Sequence, residues 1–136
     1  MSNSIGMLYV GTDIENVSRI DHLWKQKPSI LRRFFFPSEW EYFTRYGHST
    51  CTLTGIWCAK EAVVKAVFPT IKLDIRDVEI LSKKGAPPTL ILHQVKGGLV
   101  DPSIKVTVSI SHTKEYATAT AIHWVENPIE QLKIKP

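Results

Sequence analysis

The 136 residues are poor in what would make a secreted, membrane-spanning or zinc-held protein. There are only two cysteines, Cys51 and Cys58, and their spacing of seven puts both on one side of a helix without the closer spacing zinc requires. They read as small buried residues in a reducing compartment. No apolar run approaches the roughly 20 residues that cross a bilayer. The first residues lack both the basic start and the apolar core of a signal peptide, so the expected location is cytoplasmic, with no membrane partner. Internal repeats and low-complexity segments are absent, and so is any nucleic-acid-binding motif.

What is present is a globular composition. Hydrophobic residues make up 43% and charged residues 22%, and the length suits one core but not two. The expectation is a single domain over residues 1–126 with a polar, basic tail over 127–136. A formal net charge of +4 favours an acidic partner or a substrate carrying several phosphates.

Ile5 to Gly11 reads as a strand ending at Gly11-Thr12-Asp13. In Asp13-Ile14-Glu15 two carboxylates stand at i and i+2. If the strand continues they share a face and suit a hard cation; otherwise Asp13 or Asn16 caps the next helix. Val17, Ile20, Leu23 and Trp24 follow helical spacing, with Arg19, His22 and Lys25 off that stripe. Beyond Pro28 come Arg32-Arg33 and the aromatic run Phe34 to Phe36. Ser38-Glu39-Trp40-Glu41 predicts a capping box for a short helix reaching Tyr46, broken by Gly47.

A central helix is expected from Ser49 or Thr50 to about Val67, stopped by Phe68-Pro69. Within it Trp57, Glu61 and Lys65 fall four apart on one face, and Ala59, Ala62, Val63 and Ala66 offer a packing surface. By itself that pattern is more often an ordinary Glu-to-Lys helix pair. Val78 to Leu81 and Leu90 to Leu92 read as strands about a turn at Lys84-Gly85-Ala86-Pro87, with a further loop at Gly97-Gly98 and Asp101-Pro102. Val106 to His112 and Tyr116 to Trp124 read as a strand pair, with His112 at the strand end.

Three blocks, Gly11-Thr12-Asp13-Ile14-Glu15, Trp57-Cys58-Ala59-Lys60-Glu61-Ala62 with Lys65, and Ser109-Ile110-Ser111-His112-Thr113, stand together in this order. Jointly they resemble the 4′-phosphopantetheinyl transferases, and the small holo-acyl-carrier-protein synthase type above all. The resemblance covers about Val10 to Ile122. It implies an α+β domain with an antiparallel sheet packed against the long central helix, assembled as a trimer with active sites between subunits.

The implied reaction moves the phosphopantetheine arm of coenzyme A to a serine of an apo acyl or peptidyl carrier protein. Asp13 and Glu61 match the magnesium ligands, with Glu15 as a third, and Glu61 is the group that takes the serine proton. Lys65 matches the lysine beside the phosphates. His112, with Ser111 next to it, and Lys60 match the coenzyme's neighbourhood, with Arg45 or His48 standing in for missing basic residues. Arg19 matches the arginine that meets the carrier's acidic helix, and Lys25, Arg32 and Arg33 extend that face. The chain departs from the small type in having Gly55-Ile56-Trp57 for Gly-Arg-Phe, and Val67-Phe68-Pro69-Thr70 for a glycine-containing turn. The alternative implied by these losses is a catalytically weak relative that only binds carrier proteins.

Overall fold

The computed structural model describes residues 5–94 and 98–126, so the expected tail at 127–136 and Gly97 lie outside the described residues. In chain order the elements are β1 (Ile5–Asn16), α1 (Val17–Gln26), α2 (Pro28–Arg32), α3 (Pro37–Arg45) and α4 (Thr50–Val67). A 3-10 turn (Ile75–Asp77) then leads into β2 (Val78–Leu81), β3 (Thr89–Gln94), β4 (Gly98–Leu99), β5 (Lys105–His112) and β6 (Tyr116–Glu126). Two antiparallel sheets result, ordered β1-β6-β5 and β2-β3-β4. Gly98 is thus a strand residue paired with Gln94, where the glycines had suggested only a loop.

The long helix sits on the first sheet because both surfaces are made of small residues. On β6 the inward positions are Ala117, Ala119 and Ala121, all buried, alternating with exposed Tyr116, Thr118 and Thr120. On β1 a Cβ at Gly11 would lie 2.1 Å from the Ala62 carbonyl oxygen and 2.6 Å from the Ala66 nitrogen. Glycine is therefore obligatory where β1 and α4 touch. On its far side α4 buries Leu53, Ile56, Val63 and Val67 in a core shared with Ile20, Leu31, Trp40, Phe43 and Ile80. The Ser49 hydroxyl accepts from the Thr52 amide and caps α4 where the sequence expected.

The start of α3 differs from expectation by a residue or two. Pro37, with its fixed φ, takes the first helical position, so the N-cap is Phe36, whose amide donates to Glu39 Oε1 at 2.7 Å. Ser38, released from capping, donates instead to Glu79 Oε2 at 2.6 Å, and His93 Nε2 lies 2.9 Å from Glu79 Oε1. Burial pushes the Glu79 carboxyl up, but these two partners outweigh it and leave its pKa below the ordinary value. A carboxylate lowered on folding stabilises above its unfolded pKa, and that contribution disappears as pH falls through the lowered folded value. Glu79→Gln should therefore be less stable than wild type at neutral pH and indistinguishable from it in strong acid. Urea midpoints measured across that range check this.

Candidate active site

Helix α4 crosses the β1-β6-β5 sheet diagonally. Near its start Cys51 Sγ lies 3.8 Å from the Thr113 carbonyl oxygen beyond β5, and a Cβ at Gly55 would lie 2.9 Å from Ile110 on β5. Farther on, Cys58 Sγ is 3.4 Å from the Ala117 oxygen of β6, and Ala62 and Ala66 reach Gly11 of β1. Between Leu53 and Val67 only Trp57, Glu61, Val64 and Lys65 are more than marginally exposed, and they form one stripe. Glu61 and Lys65 are thus the charged, reachable groups of an otherwise buried helix.

Strand β1 brings the acids to that stripe. It runs unbroken through Asn16, so Asp13 and Glu15 both face α4, and the Asn16 side chain does not cap α1. The Lys65 ammonium donates to the Thr12 carbonyl oxygen at 2.9 Å and lies 3.5 Å from Asp13 Oδ1. Burial first, and then the negative charge of Asp13, raise the Glu61 pKa against the pull of Lys65; Asp74 and Glu15 add to the rise. Behind them burial, reinforced by Asp13, pushes the Cys58 thiol up to about 12, so it is a neutral filler. Crowded oxygen donors with a raised pKa on one of them are a site that gains from a bound cation.

The family model for the 4′-phosphopantetheinyl transferase superfamily matches residues 9–121, which contain every one of these groups. The chain belongs to the 4′-phosphopantetheinyl transferase superfamily. It is 34% identical over 119 residues to a holo-[acyl-carrier-protein] synthase of Moorella thermoacetica, covering 85% of this chain and 93% of that protein. To the synthase of that name from Caldanaerobacter subterraneus it is 33% identical over 118 residues, with coverage of 85% and 93%. Among solved structures, the Bacillus anthracis holo-(acyl-carrier-protein) synthase in complex with CoA (3′,5′-ADP) aligns with a TM-score of 0.68 at 26% identity, covering 85% of this chain and 95% of that one.

In this member of the superfamily the remaining candidate residues separate. Lys60 is placed in the core, away from the accessible stripe that carries Glu61 and Lys65. It is fully buried, 2.6 Å from Glu39 Oε1, with its ammonium 5.4 and 5.0 Å from the Phe35 and Phe36 rings. One residue before Glu61 on a helix is about 100° round the axis, which turns Lys60 into the core. Glu15 is engaged elsewhere too: Arg19 Nη1 donates to its Oε2 at 2.6 Å, and the Asn16 amide donates to its Oε1 at 3.0 Å. Among the described residues no three histidine, cysteine or acidic side chains are grouped as a ready metal site.

His112 lies across the sheet. Its register partner is Ala117, which in turn pairs with Glu15, so β6 separates the histidine from the acids. His112 shares the inward face of β5 with Ile110, and Ser111 points to the opposite face. His112 lines a cavity of about 330 Å³ together with Cys51, Thr52 and Gly55 of α4 and the turn Ser82 to Ala86. Thr52 and Gly55 are about 180° and 120° round α4 from Glu61. Lys83 and Lys84 on that turn are the cationic residues sequence reasoning missed. Their signal was the Lys-Lys-Gly-Ala-Pro run, read only as a turn.

The remaining basic candidates are placed on the α1–α3 side of the molecule. Arg45 pairs with Glu41 at 2.7 Å and Lys25 with Asp21 at 2.8 Å, each one helical turn apart. The Arg32 guanidinium stands over the Trp40 ring at 5.6 Å, and Arg33 lines a small hollow with Arg76 and Phe34 to Phe36. His48, with a positive φ of 55°, stacks on Trp24.

Proposed function

We propose that this chain transfers the 4′-phosphopantetheine arm of coenzyme A to the serine of an apo acyl or peptidyl carrier protein, releasing adenosine 3′,5′-bisphosphate. The observation that carries this reading is Asp13 of β1 set against Glu61 and Lys65 on the accessible stripe of α4, in a chain of this superfamily whose relatives bear the synthase name. The serine oxygen attacks the phosphorus that carries the pantetheine arm. The bond to the bridging pyrophosphate oxygen breaks, and its electron pair leaves with the adenosine bisphosphate. Glu61 accepts the serine proton, its raised pKa making it a better base than an exposed glutamate. Lys65 places an ammonium against the charge that develops on the phosphate oxygens. Asp13 and Glu61 would hold magnesium, which when bound neutralises pyrophosphate charge.

The separation of His112 from the acids supports a site completed by another copy. The face of β1 and β6 turned away from α4 carries Leu8, Val10, Ile14, Tyr116 and Ile122, with Val10 62% and Ile14 66% exposed. An apolar strip of this size on a sheet is an assembly surface. In our reading it closes a homotrimer in which the His112, Lys83 and Lys84 cavity of one chain faces the acids of the next. Arg45, which lines a neighbouring hollow with Tyr42 and Ser82, and Ser111, on the other face of β5, are the weaker candidates for that coenzyme site. Arg19, oriented by Glu15, meets the acidic helix of the carrier in the cytoplasm, with Lys25, Arg32 and Arg33 around it.

The test is mass spectrometry of several apo carrier proteins incubated with the enzyme, magnesium and coenzyme A. A gain of one phosphopantetheine is expected on at least one. Carriers that bind and gain no mass would leave a carrier-binding module. For the assembly, Val10→Asp with Ile14→Asp should convert a three-chain particle to a folded monomer in sedimentation and lower transfer at least about tenfold, because charge cannot be buried unpaired. A wild-type monomer, or an undisturbed trimer in the variant, removes this surface from the proposal.

A further inference from the structure

The accessible stripe of α4 does not stop at Lys65. Phe68 retains helical dihedrals, φ −50° and ψ −40°, and seven residues on from Glu61 it falls within about 20° of the same line, about 10 Å along the axis. At the opposite end of the stripe Trp57 packs against the rings of Phe34 and Phe35, at 5.4 and 6.2 Å. Phe68 instead stands 61% exposed.

The turn that presents it is held firmly. The Thr70 and Ile71 amides both donate to the Val67 carbonyl oxygen at 2.8 Å, Pro69 fixes its own φ, and the Thr70 hydroxyl is 2.6 Å from Nε2 of buried His123. The imidazole is locked in turn by the Lys105 carbonyl oxygen, 2.7 Å from Nδ1. The held turn therefore presents the Phe68 ring to solvent directly beyond Lys65, with Val64 between it and Glu61 on the stripe.

We propose that Phe68 is a specificity-determining residue that packs on the pantoyl segment of coenzyme A. This rests on the transferase reading above. With the pyrophosphate held by Asp13, Glu61 and Lys65, the coenzyme offers the neighbouring wall two kinds of surface. The nucleotide end is charged and matches Lys83, Lys84 and His112. The arm begins with a methylene and a carbon bearing two methyl groups, a few ångströms from the phosphorus, and is the apolar part that an aromatic beside Lys65 can cover. The carrier serine, entering past Arg19 on α1, leaves this end of the stripe to the arm.

Isothermal titration of wild type and Phe68→Ala, each with coenzyme A and with adenosine 3′,5′-bisphosphate in magnesium buffer, separates the arm from the nucleotide. Phe68→Ala should weaken coenzyme A binding about tenfold and bisphosphate binding by less than about twofold, and Phe68→Leu should recover most of the loss. Equal weakening of both ligands, no change in either, or a fall in oligomer mass would overturn the assignment, the last making Phe68 a contact between copies. Wild-type protein that binds neither ligand would overturn the transferase reading along with it. Wild type that binds both, with a variant that does the same, removes Phe68 alone.

Discussion

Glu61→Gln should abolish measurable phosphopantetheine transfer, with a loss of about 10²- to 10⁴-fold in rate, and should leave the fold as stable as wild type or more so. The first effect follows from chemistry. Glutamine matches the shape of glutamate but neither accepts the serine proton nor brings a charge to a cation shared with Asp13. The second follows from the site. Burial and the Asp13 carboxylate raise the Glu61 pKa, so at neutral pH the folded chain holds this charge at a disadvantage. Removing the charge lifts that disadvantage, the usual relation between a functional site and stability. A transfer assay and a thermal melt on one preparation measure both. A variant that transfers at the wild-type rate would remove Glu61 as the base, and one that is inactive because it melts early would make its role structural.

The opposite pattern is expected one residue away. Lys60→Met should cost about 3–5 kcal/mol of stability, a large part of the 5–15 kcal/mol that holds a typical domain together. Glu39 and Lys60 form an ion pair at 2.6 Å with both side chains fully buried. Glu39 also accepts the amide hydrogens of Phe36 at 2.7 Å and Ile80 at 2.8 Å, so one carboxylate ties α3, α4 and β2 together. Burial pushes Glu39 up and Lys60 down, each against the pull of the other. Without Lys60 the carboxylate is left buried and uncompensated. Its folded pKa then stands further above the unfolded value, so the penalty is fully felt at neutral pH and fades as acid protonates the group. Glu39→Gln with Lys60→Met should be less harmful than the two single effects summed. Urea unfolding of the four proteins at two pH values measures this. A single Lys60→Met effect below about 1 kcal/mol would mean that the pair is relaxed by water in solution.

Local chemistry made much of this legible in the sequence. The bounds of α4 were readable because Ser49 caps it and Pro69 follows it, and alternation in Val106 to His112, with a second strand over Tyr116 to Trp124 after a short turn, announced the paired strands. The resemblance of three short blocks placed Asp13, Glu61 and Lys65 together, and the structure does bring Lys65 to Asp13. Lys60 was misplaced because adjacency to Glu61 in the chain says nothing about which side of a helix faces Glu39, a partner 21 residues away. The pairing of Glu15 with Arg19 was not legible because it depends on β1 running straight into α1. Lys83 and Lys84 escaped notice because a turn gains meaning only from the cavity it closes.

The sequence alone thus determined the bounds of α4, the main strands and, through the resemblance of three short blocks, the family, since each is written in residue type and order over a few turns. Tertiary structure decided which charges are reachable and which are core. It also decided that α4 and β6 hold His112 away from Asp13 and Glu61, because a helix laid diagonally over three strands has two flanks and no local pattern tells them apart.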